Sequence, residues 1–111
     1  MFEVHALSYG VNTALRRNAT QSSTFNNNQK FGATFAIDGV NSTFSHTASD
    51  DKNAWWHVDL GQTAEVESVV ILNRWCVDVT DPNGCLCRLS NASLSLLDES
   101  NFTIAMRTLG N

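Results

Sequence analysis

The sequence predicts an all-β domain, and three observations lead to this prediction. Apolar residues recur mostly with a period of two, as in Trp56, Val58 and Leu60. Residues typical of turns interrupt the apolar segments, and helical periodicity is weak throughout. With 111 residues, 42% hydrophobic and 16% charged, the chain has the size and composition of one globular domain with one core.

Two strands are predicted in the middle of the chain. Residues 56–60 alternate apolar and polar side chains until Gly61 ends the run. Only one of the neighbouring tryptophans can face inward from a strand, and we expect it to be Trp56 rather than Trp55. Residues 66–72 are apolar and rich in β-branched side chains, which predicts a buried strand.

The C-terminal residues 92–108 predict a β-hairpin. Leu94 and Leu96 share one face of its first strand, and the polar residues 98–101 form the turn. The apolar residues of the second strand share one face and are Phe102, Ile104 and Met106.

The segments between the strands read as turns and loops. Residues 34–37 predict a short helical turn that Asp38-Gly39 ends, and the Asn-rich residues 26–29 predict a surface loop. Residues 76–88 contain Asp-Pro-Asn-Gly, which is typical of a turn within a long loop. We therefore predict a β-sandwich with functional loops at one end.

Charge and motif content argue against several classes of function. The net charge is −4, and the seven Lys and Arg residues form no basic stripe, so we expect no nucleic-acid partner. The longest apolar run, residues 69–72, is far too short to cross a bilayer. A Gly-x-Ser-x-Gly elbow, a Gly-rich phosphate loop and a His-Glu-x-x-His motif are all absent, so we predict that the chain is not an enzyme.

The three cysteines, Cys76, Cys85 and Cys87, are predicted to form a disulfide in an oxidising compartment. Three cysteines allow one internal bridge, and the sequence leaves open which two residues form it. A zinc site that combines these cysteines with a histidine is the alternative, although Cys-x-Cys differs from the usual paired spacing.

Candidate glycosylation sites point to an extracellular or cell-surface location. Four Asn-x-Ser/Thr sequons occur, at Asn18, Asn41, Asn91 and Asn101. No signal peptide is visible in residues 1–10. We therefore expect either an internal piece of a longer secreted protein or a start that is wrongly drawn.

Five motifs in order resemble the F-type lectins (fucolectins), the fucose-binding branch of the discoidin, or coagulation-factor type C, superfamily. These motifs are Asn12-Thr13-Ala14-Leu15 with Ala19-Thr20-Gln21-Ser22-Ser23, Ala36-Ile37-Asp38-Gly39, Trp55-Trp56-His57-Val58-Asp59-Leu60-Gly61, Ile71-Leu72-Asn73-Arg74, and Arg88-Leu89-Ser90-Asn91-Ala92 with Leu94-Ser95-Leu96-Leu97. The resemblance implies a jelly-roll β-sandwich of the galactose-binding-domain type over residues 12–111, preceded by an N-terminal extension, residues 1–11. It also implies that the closing strands of this sandwich are missing from the chain.

The resemblance further implies a sugar site. His46, Arg74 and Arg88 match the basic residues that donate hydrogen bonds to sugar oxygens in that family. Trp75 or a disulfide between Cys85 and Cys87 would supply the apolar patch. The family's Arg-x-Asp unit is absent after Arg74, and the stretch to Arg88 is longer than in the family.

A structural calcium ion is the second implication of the resemblance. The family holds this ion largely through backbone carbonyls near the Asp-Gly turn and the following loop, where oxygen ligands suit a hard cation. The matching candidates in this chain are Phe35, Asp38, Asn41 and Ser49.

The predicted function is therefore that of a carbohydrate-binding, lectin-like module for fucose or a related sugar, with glycans or glycoconjugates as partners. It would act as a homo-oligomer or as part of a multidomain protein. The alternatives are a discoidin-like adhesion domain that binds protein or membrane lipid, and an accessory module of a larger enzyme. Exposed apolar and aromatic residues at the loop tips would favour adhesion.

Overall fold

The computed structural model describes residues 3–40, 42–72 and 92–109. The chain divides into two compact units, Met1–Asn73 and Arg74–Asn111. The described residues form seven β-strands, all paired antiparallel, and three short 3₁₀ helices. No helix in these ranges has the length and apolar character needed to span a membrane.

The first unit contains a three-stranded sheet. Its strands are β1 (Glu3–Ser8), β2 (Val11–Asn12) and β5 (Ser68–Leu72), in the order β2-β1-β5. The two-residue turn between β1 and β2 consists of Tyr9 and Gly10, whose φ angles are both positive at 50° and 79°. Two positive φ angles are the backbone geometry that matches the twist of a tight hairpin.

A two-stranded sheet contains β3 (Asn18–Gln21) and β4 (Trp56–Asp59). Gln21 pairs with Trp56, and Asn18 pairs with Asp59. The indole N–H of Trp56 donates to the carbonyl of Ala33 at 2.9 Å and so ties β4 to the segment between the sheets.

Both sheets contribute one face to a single core. Its buried residues are small or β-branched: Val4, Ala6, Ala14, Ala36 and Ile37. Half-buried side chains from both sheets pack against them, namely Ala19, Trp56, Val58, Leu60, Val66, Val69 and Ile71. The all-β sandwich predicted from the sequence is confirmed.

The structure agrees with the prediction for the first central strand and differs from it in the bounds and burial of the second. Trp56 and Val58 are half-buried while Trp55 is 53% exposed, as the alternation predicted. The second strand begins at Ser68 rather than at residue 66, and it is not buried on both faces. Val70 and Leu72 are each 42% exposed, because an antiparallel sheet needs to cover only one of its faces.

The short helical turn predicted at residues 34–37 is a 3₁₀ helix, Ala33–Ala36, with Ala36 and Ile37 fully buried. Gly39 follows with a φ angle of +78°, a conformation that suits glycine. The helix and its turn thus anchor the Asp38 loop to the core.

The Asn-rich surface loop is confirmed. It comprises two short 3₁₀ helices, Phe25–Asn27 and Gln29–Phe31, and residues 26–30 are exposed. Asn26 has a φ angle of +53°, which asparagine tolerates better than most side chains. The Asn28 side chain accepts a hydrogen bond from the Lys30 N–H at 3.1 Å and caps the second helix.

Residues 3–8 lie in the middle strand of the three-stranded sheet, where Val4 and Ala6 are buried. They share the core with Ala14. The boundary predicted between residues 11 and 12 stays a prediction, and the described residues on both sides of it belong to one core.

In the second unit, β6 (Ser93–Leu97) and β7 (Thr103–Thr108) form the predicted hairpin. The Asp98 Oδ1 atom accepts hydrogen bonds from the Ser100 and Phe102 N–H groups and so closes the turn. Leu94 and Leu96 are half-buried on their shared face. The predicted apolar side chains of the second strand are exposed: Phe102, Ile104 and Met106.

Candidate functional site

The imidazole ring of His46 lies half-buried in a cluster of phenylalanine rings. Its centroid is 4.4 Å from that of Phe25, 6.1 Å from that of Phe31 and 6.5 Å from that of Phe44. We call these four residues the aromatic cluster. It combines an imidazole with apolar ring surface, which is a suitable arrangement for a ligand that has both polar and C–H faces.

Backbone hydrogen bonds hold the cluster together. The Phe25 N–H donates to the His46 carbonyl at 2.9 Å, and the His46 N–H donates to the Phe31 carbonyl at 3.0 Å. The two short 3₁₀ helices after β3 therefore place Phe25 and Phe31 beside His46 through main-chain contacts.

A side-chain contact fixes the orientation of the His46 ring. Its Nδ1 atom donates to the carbonyl oxygen of Thr47, since a carbonyl can only accept. In the neutral ring Nε2 is then the acceptor nitrogen, whereas in the protonated ring both nitrogens are donors.

Sequence reasoning predicted His46 as a site residue, which stays a prediction, and did not single out the three phenylalanines. Each lies in a polar, turn-rich segment where an apolar core residue is not expected, and Phe44 is two residues before His46. A phenylalanine in such a polar segment was the signal from which a buried or functional ring could have been predicted. Their convergence depends on the turns at residues 25–31, which periodicity does not reveal.

The Asp38 loop was the predicted calcium position. Asp38 Oδ1 accepts from the Val40 N–H at 2.9 Å, and Oδ2 accepts from the Thr43 hydroxyl at 2.6 Å. Burial acts to raise the pKa of Asp38, but hydrogen bonds that include those from Thr43, Val40 and the Glu3 carboxyl outweigh it, and the pKa lies below its ordinary value.

Glu3 lies beside Asp38, and sequence reasoning missed it. Its side chain is 1% exposed, and Oε1 accepts from the Gly39 N–H at 3.0 Å. Oε2 is buried without a hydrogen bond from the described residues and lies 3.6 Å from the His5 Nε2 atom. Burial, together with the neighbouring Asp38 carboxyl, raises the pKa of Glu3 to about 7.

Two other residues predicted as calcium ligands do not belong to the Asp38 loop as the structure describes it. Phe35 is half-buried in the Ala33–Ala36 helix, and Ser49 is exposed in a turn. Asn41 lies outside the described residues. Within residues 3–40, 42–72 and 92–109, no three His, Cys, Asp or Glu side chains gather into a group that could hold a metal ion.

Several predicted residues lie outside the described part of the chain. They are Arg74, Trp75 and Arg88 of the sugar site, the cysteines Cys76, Cys85 and Cys87, and the sequon residues Asn41 and Asn91. The other two sequon residues, Asn18 at the start of β3 and Asn101 in the hairpin turn, are exposed.

An open groove of about 560 Å³ is lined by residues of β3 and of the segment 24–35, and none of the four residues of the aromatic cluster lines it. Gln21 lines this groove and also contacts the His46 carbonyl through its amide nitrogen. The groove is lined by Ala19, Thr20, Gln21, Thr24, Gln29, Gly32, Ala33, Thr34 and Phe35.

Comparison with known proteins gave one family. A family model described as an F5/F8 type C, NedA-like, galactose-binding domain matches residues 35–108, about two thirds of the chain. The matched range includes both His46 and Asp38. Searches of curated proteins and of solved structures returned no match.

Proposed function

The chain belongs to the F5/F8 type C, NedA-like family of galactose-binding domains, within the discoidin superfamily, and we propose that it is a carbohydrate-binding recognition module without catalytic activity. The observation that carries this proposal is the position of His46, inside the matched range and surrounded by Phe25, Phe31 and Phe44.

The aromatic cluster has the chemistry that sugar recognition requires. A sugar ring presents hydroxyl groups around its edge and C–H groups on its faces. The imidazole of His46 exchanges hydrogen bonds with hydroxyl groups, and the faces of phenylalanine rings such as Phe25 pack against C–H groups. Half-burial excludes part of the competing water and leaves part of each of these residues exposed to solvent.

Fucose, or a sugar related to it, is the proposed ligand, and the F-type lectin branch is the proposed relationship within the superfamily. In this proposal Arg74 and Arg88 donate further hydrogen bonds from their guanidinium groups, and Trp75 adds apolar surface. The motifs around these residues, together with His46-Thr47, support the proposal.

Calcium belongs to the same proposal as a structural ion at the Asp38 loop. The residues there fit a cation, because two carboxyl groups lie together and Glu3 Oε2 is buried without a hydrogen bond from the described residues. Asp38, with Glu3 beside it and carbonyl oxygens from the turn, would hold the ion. When bound, calcium would supply positive charge that fixes this loop.

An adhesion module that binds a membrane surface is the second candidate. The observation that favours it is the exposure of Tyr9 (77%) and Val11 (63%) at the turn between β1 and β2. Apolar loop tips of this kind insert between lipid headgroups. An anchoring role beside a catalytic domain, in an extracellular protein, is compatible with either function.

A binding measurement on this chain tests the proposed function. We expect methyl α-L-fucoside or methyl β-D-galactoside to bind in calorimetry, and His46→Ala to weaken binding by at least tenfold, about the loss expected for one good hydrogen bond. His57→Ala is the matched control, because His57 is exposed on the outer face of β4.

Two further arms separate the alternatives. Equal binding by the wild type and His46→Ala would overturn the assignment of the site. Co-sedimentation with vesicles of phosphatidylserine and phosphatidylcholine, abolished by Tyr9→Ser and without any sugar binding, would establish adhesion instead.

A further inference from the structure

Three consecutive polar residues at the end of β3, Gln21, Ser22 and Ser23, all bond to one segment of the chain. That segment, residues 44–55, contains His46 and leads into β4. The three side chains are half-buried. This concentration of contacts follows directly after the pairing of Gln21 with Trp56, where the chain leaves the sheet.

Gln21 contacts the aromatic cluster through its amide nitrogen. Nε2 lies 3.0 Å from the Phe31 carbonyl, 3.4 Å from the His46 carbonyl and 3.1 Å from the Thr24 hydroxyl. Two carbonyl oxygens face this position, so a donor is required there, and a side chain that ends in acceptors alone would be repelled. The same His46 carbonyl also accepts from the Phe25 N–H.

Ser22 and Ser23 hold the segment further along. Both hydroxyls donate to Asp51 Oδ2 at 2.6 Å. Ser23 Oγ accepts from the Ala48 N–H at 2.9 Å, and Ser22 Oγ accepts from the Trp55 N–H at 3.0 Å. The Ser22 N–H also donates to the Trp55 carbonyl at 2.9 Å.

The contacts are spread along the segment rather than gathered at one end. They reach it at His46, Ala48, Asp51 and Trp55, which leaves no more than three residues between successive contacts. A loop that is bonded at these four positions has few backbone conformations left. The imidazole ring of His46, at the first of these contacts, is therefore held in one orientation.

We propose that Gln21, Ser22, Ser23 and Asp51 form a clamp that positions His46 for sugar binding. They are positioning residues, since they act through the loop and need not touch the ligand. This inference rests on the proposed function, which it extends by naming the residues that pre-organise the site. A recognition side chain on a loop requires such support, because binding otherwise includes the loss of loop entropy.

The test uses this chain and three single variants: Gln21→Glu, Ser23→Ala and Asp51→Asn. Gln21→Glu keeps the shape of the side chain but replaces its donor by an acceptor. We expect the Ala48 N–H to exchange with solvent about tenfold faster in each variant, while β1 amides that pair with β5 keep their protection. We also expect the NMR shifts of the His46 ring protons to move, because they depend on the Phe25 ring 4.4 Å away.

Affinity for methyl α-L-fucoside should fall by about tenfold in the same variants. Ser23→Thr keeps the hydroxyl and should retain both the ring shifts and the affinity, while Asp50→Asn removes the neighbouring exposed carboxylate as a matched control. A role confined to stability would lower the unfolding midpoint and leave the His46 ring shifts of the folded protein in place.

The results separate the clamp from the function that it serves. Unchanged Ala48 exchange and His46 shifts in all three variants would overturn the clamp while wild-type sugar binding stands. Faster exchange with full fucoside affinity would overturn the positioning role. If the wild type binds neither fucoside nor galactoside, the proposed function itself is overturned, and the positioning role with it. This outcome depends on no variant.

Discussion

Two loops of the first unit each carry an aspartate that accepts hydrogen bonds, but the two carboxylates have different neighbours. Asp51 faces the hydroxyls of Ser22 and Ser23, and these hydrogen bonds lower its pKa below the ordinary value. Asp38 also accepts from a hydroxyl and an N–H, but the carboxyl of Glu3 lies beside it.

This difference separates the two loops. In the Asp51 loop, protein donors alone stabilise the carboxylate. In the Asp38 loop, a second carboxyl group beside the first makes ionisation of the pair unfavourable. Neutral donors stabilise an ionised carboxylate at little cost. A second, buried carboxyl destabilises the ionised pair, and the pKa of Glu3 rises to about 7 in response. The unfavourable charge beside Asp38 supports the proposed cation at this loop, and the Asp51 loop has no such second carboxyl group.

The largest expected effect comes from Glu3→Gln, measured in the presence of a chelator. A pKa of about 7 in the folded state, against 4.5 in the unfolded state, means that ionisation of Glu3 opposes folding. Wild-type stability should thus fall as pH rises from about 4.5 to 7. At pH 8 the variant should be more stable by about 3 kcal/mol, since one pKa unit corresponds to about 1.4 kcal/mol.

Urea denaturation at pH 4 and pH 8 checks this prediction, with Glu99→Gln in the hairpin turn as the exposed control. A wild type whose free energy of unfolding does not change between these values would contradict the buried carboxyl pair.

Calcium should act on the same loop. At a concentration about 100 times its dissociation constant, it should raise the free energy of unfolding at pH 8 by about 2.7 kcal/mol. Asp38→Asn should abolish this increase, and Asp51→Asn should leave it intact. Thermal unfolding with calcium and with chelator measures the effect, and identical curves for the wild type in the two conditions would exclude the calcium proposal.

Asp51→Asn should have a smaller effect with the opposite pH dependence. Because the pKa of Asp51 is depressed, its contribution to stability is present above its ordinary value of 3.8 and is lost as pH falls through the folded-state pKa. The variant should be less stable than the wild type at pH 7 and should approach it in acid. An unfolding midpoint that is equally low at every pH would indicate lost packing instead of a lost charged acceptor.

The smallest effects should come from the two hydroxyls. Ser22→Ala and Ser23→Ala should each lower the unfolding midpoint slightly, because each removes one bond to Asp51 Oδ2. In a double-mutant cycle with Asp51→Asn, the combined loss should be less than the sum of the separate losses, since the residues share one network. Strict additivity would show that the hydroxyls and the carboxylate act independently.

Local patterns were sufficient to predict the strands and several turns. Alternation located β4, and the polar residues 98–101 located the hairpin turn. The Asp38-Gly39 turn followed from turn chemistry that operates within a few residues. Strand β5 was found, but its exposed face was not, because β-branched content indicates a strand and not what covers it.

The sequence by itself determined the all-β class and the discoidin superfamily, and it led to the predictions for His46 and Asp38, because motifs and periodicity are properties of neighbouring residues. Tertiary structure alone decided which distant side chains these residues meet. Glu3 reaches Asp38 across 35 positions, and Asp51 reaches Ser22 across 29. Such partners depend on strand pairing and loop closure, and no local pattern encodes which of many polar residues will be brought together.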